Sequence, residues 1–388
     1  MMHVSGRRSM LRTRSKSTRI YLLSAMSEAP APCVCDLTLI MRARLLCGLY
    51  SSRAVPARWR SLARAYCITL AFVSACFIYI VIRYYASRIF WLILPAYGLY
   101  YISAFYALWT EDDYIYKFFT QNKLTDVTLD SPRIFNRLQR QMHQAYISVF
   151  LFQFAYTGVQ ILSFPENTIL SVVIITTSSI CELLVVCSDL TKMLVIALFD
   201  ARLLVLKRRL QRYGFRCVGR ARLQPYCHIY HQIIQGLDDT DNPLKLMLLL
   251  DWVCSCCKIT AASAYFYYLF SIGAQDFQYN VTAARILFAL MGAIILVYIS
   301  FGHVALLESA AAHCEDMAVY TATELIKTPT AEERQQMHAF LGALEQRGAR
   351  YSVLRALPLN ARFVLSALHF CSAQIIIIIS IMRKDTTF

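Results

Sequence analysis

Charge is what this chain has least of: Asp, Glu, Lys and Arg make up 16% of it, and acids are the scarcer kind, 24 against 39 bases. A soluble domain carries about 25%. With hydrophobic residues at 57% over 388 positions, no separate soluble catalytic domain has room. Helix breakers are scarce too, with 12 Gly and 10 Pro, and residues 168–213 contain neither.

In place of charge stand seven long apolar stretches, at about 67–82, 89–109, 145–164, 168–199, 246–272, 286–307 and 363–382. A helix rises about 1.5 Å per residue and the hydrocarbon of a bilayer is about 30 Å thick, so about 20 such residues cross it. The second, third and seventh stretches hold no Asp, Glu, Lys or Arg. The pattern predicts an all-α membrane protein of seven transmembrane helices, one domain over 46–388.

Orientation follows from the bases, because cytoplasmic loops retain Lys and Arg during insertion. Of the 39, only Arg83, Arg88, Arg285, Arg383 and Lys384 fall on one side, and Lys192 and Lys258 sit inside spans. The remainder share a side with the amino terminus, which is therefore expected in the cytoplasm, with the carboxyl terminus outside. Asn280-Val281-Thr282, a glycosylation sequon, falls in a loop that this topology places outside. The excess positive charge thus meets anionic lipid, not nucleic acid.

The 14 cysteines are absent from every outer loop, which excludes a disulfide framework and leaves cysteine as a small hydrophobe. Cys227, His228 and His231 alone have metal-like spacing, without a fourth ligand, and read as an amphipathic segment. No metal or cofactor is implied. Residues 1–45 form a leader rich in Arg and Ser, expected to be a disordered cytosolic tail or an over-extended gene start, with Met26 and Met41 as alternative starts. Organelle targeting is the other reading of its composition.

Several helices are expected to outrun the membrane. The pattern of the fourth stretch continues to Leu210 before Gly214, the sixth continues to Ile326, and 228–237 and 332–347 add amphipathic helices, which together suggest a cytosolic helical platform. Inside the spans, Asp189 and Lys192 are three apart and can pair locally. Glu182 lies deeper; it is either a polar contact in a ligand cavity or a structural carboxyl bonded between helices.

Aromatics crowd the outer halves of the spans, partly as an interfacial belt. The block from Tyr265 to Phe270 covers every side of its helix, so some rings must turn inward. Tyr97, Tyr101, Phe154, Tyr156, Tyr265 and Tyr268, with the amide and hydroxyl of Gln160 and Thr177, are the candidate lining of a small-molecule pocket; ordinary packing is the alternative.

The span count, the inside amino terminus, the long continuations of spans four to six and the abrupt end after span seven resemble the insect gustatory receptor family. The approach to the last span, residues 351–366 (Tyr-Ser-Val-Leu-Arg-Ala-Leu-Pro-Leu-Asn-Ala-Arg-Phe-Val-Leu-Ser), is similar to that family's, including Leu359-Asn360. The family's Thr-Tyr, five apolar residues, Gln-Phe signature is replaced by Ala373-Gln374, five isoleucines and Ser380-Ile381, which keeps the spacing and changes all four signature residues.

The resemblance implies a ligand-gated, non-selective cation channel of the plasma membrane. It would be a homo- or hetero-tetramer with related subunits, opened by a small tastant, of the bitter class by its divergent last motif. Ile377, Ser380 and Ile381 then face the pore, where a ring of isoleucines can gate by dewetting. An insect odorant receptor shares this architecture. A G-protein-coupled receptor has the opposite orientation, and neither Asp-Arg-Tyr after span three nor Asn-Pro-x-x-Tyr in span seven is present. No inverted repeat suggests a transporter, and the isolated His303 and His369 do not suggest an enzyme.

Overall fold

A computed structural model describes residues 38–52, 55–84, 132–163, 169–213, 223–238, 279–328, 331–346 and 361–385, two strands at 352–353 and 357–358, and single or short helical positions between 98 and 129 and between 244 and 263. The described chain is helical: α1 (Thr38–Leu46), a 3-10 turn (Ala57–Trp59), α2 (Arg60–Tyr84), α3 (Pro132–Ser163), α4 (Ile169–Tyr213), α5 (Leu223–Asp238), α6 (Tyr279–Lys327), α7 (Ala331–Gln346) and α8 (Ala361–Asp385). Before α8, β1 (Ser352–Val353) and β2 (Leu357–Pro358) make a minimal antiparallel pair, the one departure from an all-helical body among the described residues.

The two longest elements set the frame. α4 runs 45 residues and α6 runs 49, about 70 Å each at 1.5 Å per residue. Without Gly or Pro, nothing interrupts the backbone hydrogen bonding of α4. They pack along each other, with α1, α2, α3 and α5 also against α4. From Leu184 to Phe199 almost every residue of α4 is buried whatever face it lies on, so this is the central helix. Gly302 of α6 packs against the flexible end of Met193, where an added Cβ would stand 2.8 Å from Cε and the methionine would have to shift.

At one end, here called the base, the lower halves of α4 and α6 join α5 and α7. Leu203, Leu206 and Leu210 of α4, Ile233 of α5, Met317 of α6, and Phe340 and Leu344 of α7 are buried. Tyr230 meets Phe340 edge-on at 6.1 Å. Thr328 closes the turn into α7: its carbonyl accepts from Arg334 Nε at 2.7 Å, and its hydroxyl meets Met337 Sδ at 3.5 Å.

The leader expectation needs one correction. Thr38–Leu46 is a helix, and its Ile40, Met41 and Arg44 are buried. Gly48, at φ 91°, ends it in the left-handed conformation, with Gly48 N–H donating to Leu45 O (2.9 Å) and Leu49 N–H to Arg44 O (2.9 Å). Tyr66 Oη of α2 donates to Leu46 O at 2.8 Å. Apolar side chains at Ile40 and Met41 outweigh the basic composition that marks the residues before them.

Three described helices are long and apolar enough to cross a membrane: Arg133–Leu162, Leu290–Lys327 and Arg362–Ser380. They fall on the third, sixth and seventh apolar stretches. The first and fourth stretches lie within α2 and α4, and about half of the second and of the fifth lies outside the described residues.

Candidate functional site

The seam between α3 and α4 carries the polar groups of the bundle. Tyr146 Oη of α3 lies 2.7 Å from Thr191 Oγ1 and donates to Cys187 O at 3.1 Å. Two turns further along α3, Gln153 Nε2 donates to Glu182 Oε2 at 3.2 Å. These contacts fix an antiparallel register in which α4 numbers fall as α3 numbers rise. Glu182 is thus bonded between helices, the structural one of its two readings.

The same register sorts the candidate pocket residues. Tyr156 and Gln160 follow Gln153 at three and seven residues, on the face turned to α4, and both are half-buried. Tyr156 stacks on Phe152, ring centroids 6.0 Å apart. Thr177, half-buried on α4, donates its hydroxyl to Val173 O at 2.8 Å. Phe154 drops out of the lining: it follows Gln153 by about 100° round the helix, and so lies 76% exposed on the outside of α3. Tyr101 is half-buried, but beside α2 in a different cavity. Tyr97, Tyr265 and Tyr268 lie outside the described residues. Asn280 is in the first turn of α6, its side chain likewise outside the description.

Below the seam is a buried charged centre. Lys192 Nζ donates to Asp189 Oδ1 at 2.9 Å, with the lysine side chain 1% exposed. His303 of α6 lies with Nε2 3.1 Å from Asp189 O, so Nε2–H is the donor and ties α6 to α4. Arg44 reaches the same region from α1, close enough to act electrostatically on Lys192, Cys47 and Cys187. A hydrogen bond with Cys187 holds the Cys47 thiol below its usual range, against burial and with help from Arg44. Sequence reasoning finds the Asp189–Lys192 pair and misses Arg44, Tyr146 and Thr191. Two arginines, Arg42 and Arg44, stand among apolar residues at 39–46, and nothing local says that the second is the buried one.

α8 is asymmetric. Val364 and Cys371 are buried, and Cys371 Sγ donates to Cys256 O at 3.7 Å. Trp252 clamps its start, edge-on to Phe363 at 5.1 Å and to Phe301 of α6 at 5.8 Å. On the opposite face Ser366, Phe370, Ala373, Ile377 and Ser380, spaced four, three, four and three, form one exposed stripe. Ile377 is 50% exposed. Ser366 and Ser380 donate to the carbonyls four residues back, at 3.0 and 2.7 Å, so their hydroxyls are satisfied within the helix. Two of the three candidate pore residues, Ile377 and Ser380, therefore share a face; the side chain of Ile381 lies outside the described residues.

At the base, α4 and α6 are cross-linked by charge. Lys207 pairs with Asp316, and His313 Nε2 stands 3.6 Å from Asp200 Oδ1. Burial pushes the Asp200 carboxyl up, opposed by Ser309 and His313, and pushes His313 down, opposed mainly by Asp200. His228 is engaged with Gln232, nitrogen to nitrogen at 2.9 Å, and His231 packs on the Tyr230 ring. Among the described residues no group of His, Cys, Asp and Glu is placed to hold a metal ion.

No family model matches the chain, and no curated protein matches it. Solved structures do. The insect olfactory receptor OR5 of Machilis hrabei in complex with eugenol is similar with a TM-score of 0.62 at 12% identity, over 89% of this chain and 97% of that one. A second structure of that receptor gives 0.53 at 14% identity with the same coverage. At these identities the likeness is one of fold: the chain has the fold of an insect olfactory receptor.

Proposed function

We propose that this chain is a chemoreceptor subunit, a ligand-gated cation channel of the insect gustatory and olfactory kind. The observation that carries the reading is α8. A membrane-length helix, in a fold shared with an olfactory receptor, leaves an apolar stripe with two serines uncovered. Four such stripes meeting on an axis make a pore, with Ile377 and Ser380, and next to them Ile381, toward its lumen. An apolar constriction there blocks ions by dewetting.

The ligand is a small organic molecule, as eugenol is for the structural neighbour. Tyr156, Gln160 and Thr177, with Tyr97, Tyr265 and Tyr268, are its proposed contacts. Seven spans, an amino terminus in the cytoplasm, residence in the plasma membrane and a glycan on Asn280 complete the reading. The leader differs from the channel domain that follows it. A tastant of the bitter class is the gustatory expectation from the last-span approach; an odorant fits the fold equally.

Currents recorded from cells expressing the chain, alone and with partner subunits, against parallel panels of soluble tastants and volatile odorants test this. A dose-dependent cation current supports the channel, and the responding panel assigns the branch. Surface expression with no current under any pairing overturns it.

A further inference from the structure

The last turn of α1 meets the central helix through a pair of thiols. Cys47 stands just before the left-handed Gly48, with its own N–H donating to Ala43 O at 3.1 Å. Its buried side chain is hydrogen-bonded, thiol to thiol, with the buried Cys187 of α4. The two are far apart in the chain, so the contact exists only because α1 folds back onto α4.

Both sulfurs are held in place by groups outside the pair. Gly48 N–H and Leu49 N–H close the end of α1, and Tyr66 Oη of α2 donates to Leu46 O at 2.8 Å, so the backbone is tied down on either side of Cys47. Cys187 lies on a helix without Gly or Pro, and Tyr146 Oη of α3 donates to its carbonyl at 3.1 Å. Two thiols kept in contact by neighbouring helices need little backbone movement to become a disulfide.

The pair is chemically unequal. The hydrogen bond with Cys187 lowers the Cys47 thiol, burial opposes it, and the charge of Arg44, one turn back on α1, adds to the lowering. The thiolate is the form that attacks a peroxide, and a second thiol in contact with it can resolve the product.

We propose that Cys47 and Cys187 are a peroxide-sensitive thiol pair, which a reversible disulfide turns into a covalent tether of α1 on α4. The Cys47 thiolate attacks one oxygen of hydrogen peroxide, the O–O bond breaks and hydroxide leaves, giving a sulfenic acid. The Cys187 sulfur then attacks the Cys47 sulfur, the S–O bond breaks, and that oxygen departs as water with the Cys187 proton. Two thiols and one peroxide become one disulfide and two waters, the sulfurs oxidised and the peroxide reduced. In a reducing compartment the bond is transient, because a dithiol reverses it. The tether pins α1, with its Arg44, beside the Asp189–Lys192 pair. Neither the pore nor the orientation in the membrane enters this chemistry.

The test titrates the full chain in detergent micelles with hydrogen peroxide and maps linked peptides by mass spectrometry, before and after dithiothreitol. A Cys47–Cys187 peptide is expected at roughly tenfold less peroxide than any other cysteine pair requires, since the thiolate is the reactive form. Dithiothreitol should abolish it. The linked protein should unfold at a higher midpoint than the same sample after reduction. In Cys187→Ser the sulfenic acid has no partner, so dimedone should label Cys47; in Cys47→Ser, Cys187 should stay an unlabelled thiol. Where a variant does not fold, the peptide map of the wild type decides alone. A wild type whose Cys47 and Cys187 both remain thiols, a Cys47 linked instead to buried Cys67 of α2, or dimedone on Cys187 in Cys47→Ser overturns the proposal.

Discussion

At the scale of single residues, Asp189 and Lys192 show how a charge survives in the middle of a packed helix. The lysine has its carboxylate 2.9 Å away on its own helix, and His303 holds the Asp189 carbonyl. Removing one partner strands the other without water. Asp189→Asn should therefore cost about 3–5 kcal/mol, read as a lower unfolding midpoint in detergent. The double change Asp189→Asn with Lys192→Met should recover much of it. If the single change leaves the midpoint in place, the pair does not hold the bundle together. The spacing of this pair is legible in the sequence because it is local. Arg44 and Phe154 are not, since their placing depends on neighbours far away in the chain: Arg44 on the wall of α4, Phe154 on Gln153 being turned toward Glu182.

At the scale of elements, the sequence is most legible where it is regular. The stretch without Gly or Pro becomes α4, the continuation of the sixth stretch becomes the lower half of α6, and the charged segment before Arg347 becomes α7. Helix α1 is harder to read, being short and set in a basic surround. How helices α4 and α6 are linked at the base could not be read at all, because Asp200, Lys207, His313 and Asp316 pair only once both helices are in place.

That linkage carries a pH signature. Asp200 has its folded value raised, so the folded state binds more protons there and acidification favours folding above the ordinary carboxylate value near 4. His313 has its value lowered, so acidification below the ordinary histidine value near 6.5 disfavours folding. The two oppose each other between about pH 4 and 6.5. In His313→Gln only the first remains, so lowering the pH from 7 toward 5 should raise the variant's stability relative to wild type. Parallel pH profiles for the two proteins would show that the pair is not coupled to folding.

At the scale of the whole molecule, the uneven covering of α8 is the main feature. One face is held by Trp252, Cys256 and α6, while the other is uncovered by any described residue. If Ile377 closes a pore, Ile377→Ser should wet it and raise resting current several-fold in expressing cells. An unchanged baseline with normal surface expression would move the gate elsewhere. Neither α4 nor α6 is broken along its length, and each reaches the base as one rod. A rod about 70 Å long that rocks by about 5° around its middle swings each tip about 3 Å, in opposite senses. Whatever nudges one end is mechanically announced at the other, and the four-helix base is the far arm of a seesaw.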